Sequence, residues 1–145
     1  MGTGGRVTLK VVIDTNVLVS AIIAPTSTPA SILQEWRHGR FELLTCDEHL
    51  DELRTATRYP KVRSRISPLV AGILINEIGK VVNHIGRLPQ IRRSSDPRDD
   101  YLLALAEKGE ANFIVSGDKT GVLAMDKFAT AKIITARQFA DILGL

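Results

Sequence analysis

Four carboxylates in this chain stand where an acid needs a reason. Asp14 interrupts the apolar run Val11-Val12-Ile13-Asp14-Thr15-Asn16-Val17-Leu18-Val19. A carboxylate in such a run is costly unless something pairs with it. Thr15 and Asn16 can hydrogen-bond but cannot neutralise it, whereas a cation can. Glu52 lies between Leu50 and Leu53, close to an apolar stripe. Asp99 belongs to Asp96-Pro97-Arg98-Asp99-Asp100, and Asp118 follows Ser116-Gly117 directly after Phe113-Ile114-Val115.

Each acid also has a plainer reading. Asp14 suits a helix cap. Glu52 shares its helix with Asp47, Glu48 and Asp51, most of which should be solvated or complement the helix dipole. Asp99 and Asp100 fit the first turn of a helix, and Asp118 fits a tight turn. Gathered at one edge of a sheet, however, such acids would repel one another strongly without a cation. Donors that are all oxygen suit Mg²⁺ or Mn²⁺ rather than zinc.

Other chemistries fit poorly. The chain has no G-x-S-x-G, no G-x-x-x-x-G-K-[ST] and no G-x-G-x-x-G. His38, His49 and His84 show no paired metal spacing and read as surface or helix residues. Cys46 has no base in sight and reads as packing. Aromatic residues make up 5% of the chain, which argues against base stacking on single strands. A phosphatase of the haloacid-dehalogenase type needs a second Asp two residues after the first, and that position is Asn16.

The elements that must position these acids follow from local signals. Residues 7–13 read as a buried strand and 16–24 as a helix stopped by Pro25. Thr28-Pro29 reads as cap and first turn of a helix that carries Ile32, Leu33 and Trp36 and ends at Gly39. A strand is expected over 41–45. The capping-box spacing Thr45-Cys46-Asp47-Glu48 then opens a helix to about Arg58. Tyr59-Pro60 breaks it, and Pro68 opens an apolar helix through Leu69, Ile73, Leu74, Ile78 and Val81. Residues 86–95 read as loop, with a short strand near Gln90-Ile91. Asp96-Pro97 starts a helix over 98–108 that Gly109 closes. A strand over 112–115, a helical turn, a strand over 132–134 and a final helix over 135–143 complete the chain. This alternation predicts an α/β fold with a parallel sheet and helices on both faces. Asp14 and Asp118 then end strands, where ligands sit in such sheets.

The 145 residues suit one domain, with 1–9 as a tail and the start of the first strand and 10–143 as the folded unit. One cysteine permits no intramolecular disulfide, which fits a reducing cytoplasm. The first ten residues show no apolar leader, and no apolar run approaches a membrane span. Net charge is +3, but from Arg54 to Arg98 ten Lys/Arg face only Glu77 and Asp96. That basic middle suggests a polyanion surface or, equally, solvated helix faces.

The runs Val12-Ile13-Asp14-Thr15-Asn16-Val17, Leu50-Asp51-Glu52-Leu53-Arg54 with Arg58-Tyr59-Pro60-Lys61-Val62, Asp96-Pro97-Arg98-Asp99-Asp100 and Phe113-Ile114-Val115-Ser116-Gly117-Asp118-Lys119 together resemble the PIN-domain family. The resemblance spans about Lys10 to Leu143 and is nearest to toxins of toxin–antitoxin pairs related to VapC. It implies a three-layer α/β/α PIN-like sandwich and Mg²⁺- or Mn²⁺-dependent ribonuclease activity. It maps the family's acids onto Asp14, Glu52, Asp99 and Asp118. Asp99 is preferred to Asp100 because relatives often carry Asn at the second position. Ser116 stands where many relatives have Thr and keeps the hydroxyl. The run Thr120-Gly121-Val122-Leu123 departs from the family's usual acidic-Leu-Leu.

On that basis Asp14, Asp99 and Asp118 are expected to hold metal, with Glu52 and Asp100 as further candidates. Thr15, Asn16 and Ser116 would support the site, and Arg58, Lys61, Arg63 and Arg65 would position the RNA backbone. The resemblance further implies an antitoxin partner and a homodimer. The alternative is a catalytically weak PIN-like module that acts mainly by binding an antitoxin or RNA.

Overall fold

Apolar residues of alternating direction build the centre of the molecule. The computed structural model describes residues 8–81, 83–88, 97–117 and 125–145, with backbone only for 97–99. The strands are β1 (Lys10–Ile13), β2 (Glu42–Leu43), β3 (Phe113–Val115), β4 (Lys127–Phe128) and β5 (Ala131–Ile134). They form one sheet in the order β2-β1-β3-β5-β4. All pairings are parallel except that of β4 with β5.

Val11 and Ile13 of β1 face one core and Val12 faces the other. Val115 and Ile134 join the first core, and Ile114 and Ile133 join the second. A strand buried on both faces needs such a continuous apolar run. The helices are α1 (Thr15–Ile23), α2 (Thr28–Arg37), α3 (Asp47–Ala56), α4 (Pro60–Arg63), α5 (Pro68–Gly79), α6 (Pro97–Lys108) and α7 (Ala136–Leu143). Helices α1, α2, α3, α5 and α7 contribute to the first core, where Phe139 meets Phe41 and Phe113 at ring-centroid distances of 5.1 and 5.8 Å. Helix α6 supplies Leu102, Leu103 and Leu105 to the second. The result is the three-layer α/β/α sandwich expected from the sequence.

Several local expectations are corrected. The cap of α2 is Ser27, whose Oγ accepts from Ala30 N at 3.3 Å, and Thr28 is the first helical residue. The expected capping box at Thr45 does not form. Cys46 is the cap of α3, and Thr45 instead makes a parallel bridge to His84. The Glu48 carboxylate accepts from Leu88 N at 3.0 Å rather than turning back to cap. Helix α4 follows Tyr59-Pro60 where only a break was expected. Strand β4 and its antiparallel hairpin were also missed, since two residues carry no periodicity. The apolar helix expected from Pro68 forms as α5, with Leu74 and Ile78 buried and Leu69 and Ile73 exposed. The expected strand near Gln90-Ile91 and the Asp96 cap lie outside the described residues.

Candidate active site

The register of the sheet creates the site. Ile13 lies opposite Val115, and Asp14 N donates to the Val115 carbonyl at 2.9 Å. The next residues on the two strands are therefore neighbours, and Ser116 Oγ donates to Asp14 Oδ2 at 2.9 Å. Strand β1 connects to β2 on one side of it, while β3 lies on the other. In open α/β sheets that reversal of strand order opens a crevice at the carboxyl ends of the strands.

Asp14 is 7% exposed. It occupies the cap position of α1, yet its side chain makes no capping hydrogen bond of good geometry. Burial raises its carboxyl pKa, and the nearby negative charge of Glu52 raises it further. The Ser116 hydroxyl and the Thr15 and Asn16 amides at the helix start pull it back down. Asn16 itself is exposed.

Glu52 reaches the site through a residue that sequence reading passed over. Tyr101 OH donates to Glu52 Oε1 at 2.8 Å and lies 3.2 Å from Thr15 Oγ1. The phenol has one hydrogen, and it goes to the carboxylate, so Thr15 donates to the phenol oxygen. Burial and the charges of Glu52 and Asp14 push the Tyr101 pKa well upward, which keeps it a neutral donor. The signal for Tyr101 was weak. It is a lone amphipathic aromatic beside two acids, and only the packing of α3 against α6 reveals its use.

His49 is the second surprise. It lies on α3, as expected, but is 1% exposed rather than at the surface. Its ring sits 5.7 Å from that of Tyr101. Neither ring nitrogen makes a hydrogen bond of acceptable geometry, and burial lowers its pKa to about 4, against a smaller opposing pull from the Ile13 backbone. His38 and His84 are exposed. Cys46 is fully buried, and burial pushes its thiol up to about 12, so it packs and does not react.

The other expected site residues divide. Asp100 is buried at 5% exposure, close in sequence to Tyr101. The Asp99 side chain and the whole of Asp118 lie outside the described residues. Arg58, Lys61, Arg63 and Arg65 are all exposed on and around α4 and form no salt bridge among the described residues. No group of three potential ligands is assembled among the described residues.

The donor chemistry nevertheless fits a hard divalent cation. The negative charge of Glu52 raises the cost of charge on Asp14, and both carboxylates accept from neutral hydroxyls. Among the described residues no Lys, Arg or His forms an ion pair with either. Oxygen donors with no cationic side chain paired to them among the described residues suit Mg²⁺ or Mn²⁺.

No curated protein sequence matches the chain closely enough to count as a relative. The PIN-domain family profile matches residues 10–120, from β1 through the strand-end segment after β3. PIN domains are generally nucleases and typically use divalent metal ions. On the extent of that match and the topology that carries Asp14, this chain belongs to the PIN-domain family.

Proposed function

We propose that this chain is a divalent-metal-dependent ribonuclease that hydrolyses RNA phosphodiester bonds, as the toxin of a type II toxin–antitoxin pair. The observation that carries the nuclease reading is Asp14. It is a buried carboxylate at the strand-order reversal, it faces Glu52, and no cationic side chain among the described residues pairs with it. The toxin role, the antitoxin partner and the homodimer rest on the motif resemblance, and the cytoplasmic setting rests on the single cysteine.

Asp14 would hold Mg²⁺ or Mn²⁺ together with Asp118 and with Asp99 or Asp100. When bound, the ion would acidify the attacking water and offset charge that develops on the phosphoryl oxygens. Glu52, which accepts from Tyr101, would orient that water. Ser116 fixes the Asp14 carboxylate, and Thr15 fixes the Tyr101 phenol. Arg58, Lys61, Arg63 and Arg65 would take the RNA backbone, giving affinity without sequence information.

The test uses Asp14→Asn and Asp118→Asn in the full chain. Each should lose about 100-fold or more in Mn²⁺-dependent RNA cleavage while keeping the wild-type circular dichroism spectrum. Mn²⁺ should raise the Tm of the wild type and leave that of Asp14→Asn unmoved. Wild-type cleavage by either folded variant would overturn the assignment. Calorimetry that finds no carboxylate-dependent Mn²⁺ uptake would favour the catalytically weak binding module instead.

A further inference from the structure

The single tryptophan of the chain is not spent wholly on the core. Trp36, near the end of α2, packs against the first core yet is only half-buried. It also lines a cleft of about 330 Å³ between α2 and the end of α5, with Arg37, Glu77, Lys80 and Val81. That volume is in the range of small-ligand sites. Arg37 Nε and Nη2 donate to the two Glu77 oxygens at 2.8 and 2.9 Å, and Nη1 donates to Gln34 at 3.2 Å. This pair ties α2 to α5 and cancels its own charge. Lys80 forms no ion pair among the described residues. It stands at the C-terminal cap of α5, where a cation complements the helix dipole. That role does not account for a half-buried indole lining the same cleft.

The cleft continues along α5. Lys80 also lines a second cleft, of about 410 Å³, between α3 and α5. The second shares Arg54, Gly72 and Ile75 with a third, of about 190 Å³, that Arg58 and Arg63 line. The shared residues join the three into one groove from the arginines around α4 to Trp36. Gly72 and Gly79 both line its middle part and lie on one face of α5. A Cβ added at Gly72 would meet no atom within 4 Å, and one at Gly79 only Leu50 Cδ1 at 3.8 Å. Glycine weakens a helix, and packing requires neither of these two. Their effect is a floor left open.

We propose that the cleft between α2 and α5 is a nucleotide subsite, with an unpaired base on Trp36 and its phosphate on Lys80. An aromatic face and a cationic groove are the two parts of sequence-tolerant binding to single strands. An aromatic content of 5% excludes a row of stacked bases but leaves one platform. A duplex offers no free base face, so the subsite selects unpaired nucleotides. The nucleotide comes either from an RNA strand that crosses α5 from Arg58 and Arg63 or from a free mononucleotide. The strand source rests on the nuclease reading, and the subsite itself does not.

The experiment uses the full chain carrying Asp14→Asn, in chelator, so that RNA stays intact. Anisotropy of a labelled single-stranded RNA of about 12 nucleotides reports whether RNA binds at all. Emission from Trp36, the only tryptophan, reports whether a base reaches the cleft. Unlabelled single strand should quench that emission saturably, whereas the same RNA annealed to its complement and inorganic polyphosphate should not. Adenosine monophosphate that needs about tenfold or more higher concentration to quench assigns the site to the strand. Equal potency assigns it to a free nucleotide. Lys80→Gln should lower the slope of log affinity against log salt by about 0.7. Trp36→Leu should weaken RNA binding about fivefold or more, and Trp36→Phe should restore most of it. Gly72→Leu should raise Tm and weaken RNA binding, because it fills the groove floor without touching the Trp36 cleft. RNA binding with Trp36 emission unmoved, or equal quenching by duplex or polyphosphate, would overturn the subsite and leave the nuclease reading standing. Saturable quenching by adenosine monophosphate with no RNA binding would do the reverse, and absence of both would overturn both.

Discussion

Two hydroxyls govern the carboxylates of the site. Ser116 steadies Asp14 across the β1–β3 pair, and Tyr101 steadies Glu52 across the α3–α6 pair. A hydrogen bond to a charged group contributes roughly 1.5–3 kcal/mol. Tyr101→Phe keeps the ring and removes that bond together with the one Thr15 donates to the phenol oxygen, so cleavage should fall about tenfold through kcat, with KM for RNA little changed. A steady-state comparison of the two parameters checks it. Asp14 carries the opposite balance. Its raised pKa means that the native state binds this proton more tightly than the unfolded chain does. Its charged form therefore lowers stability once pH rises past the folded pKa. Asp14→Asn should accordingly raise Tm in chelator at neutral pH, with the gain shrinking toward acid, even as activity is lost. A thermal scan across pH reads this directly.

At the scale of elements, close packing and buried polarity each leave a mark. Helix α6 ends beside Leu44, the residue after β2: a Cβ on Gly109 would lie 2.7 Å from Leu44 Cδ1 and 3.2 Å from the Leu105 carbonyl oxygen. Leu44 is buried and has little room to yield. Alanine in place of a glycine whose backbone an L-residue can adopt ordinarily gains about 0.4–1 kcal/mol. Here overpacking of roughly 1–3 kcal/mol outweighs that gain, so Gly109→Ala should lower stability in urea titration. His49 ties α3 to α6 from beneath Tyr101. Its folded pKa of about 4 lies below its ordinary value of 6.5, so the unfolded chain takes up the proton first as pH falls. Stability should drop from pH 6.5 toward about 4, by on the order of 3 kcal/mol at the lower end. His49→Leu should flatten that fall and leave neutral-pH stability near the wild type, since it removes two unsatisfied ring nitrogens. Chemical denaturation at several pH values separates the two.

The whole molecule separates charge by region. Asp14 stands at the carboxyl end of β1 with Glu52 near it, while Arg58, Lys61, Arg63 and Arg65 stand exposed without ion-pair partners among the described residues. If these cations hold RNA phosphates, the slope of log affinity against log salt should reach about −0.7 per phosphate contacted. Each Lys/Arg→Ala change should then reduce its size by about that amount. A salt series on a cleavage-inactive variant measures it. An unchanged slope in all four variants would place RNA on another surface.

The sequence by itself determined the alternation of strands and helices, the PIN-domain membership and the place of Asp14. All three rest on runs of neighbouring residues: apolar periodicity, proline and glycine punctuation, and a charge inside an apolar run. Its errors were also local. Thr45 has capping-box spacing, but its backbone is taken up by a bridge to His84. The tertiary structure alone decided that Ile13 lies opposite Val115, which brings Ser116 to Asp14 across 102 residues, and that Tyr101 reaches Glu52 across 49. It also decided that His49 turns inward. Strand register and helix packing are set by the summed burial of two cores, and no single segment carries that sum.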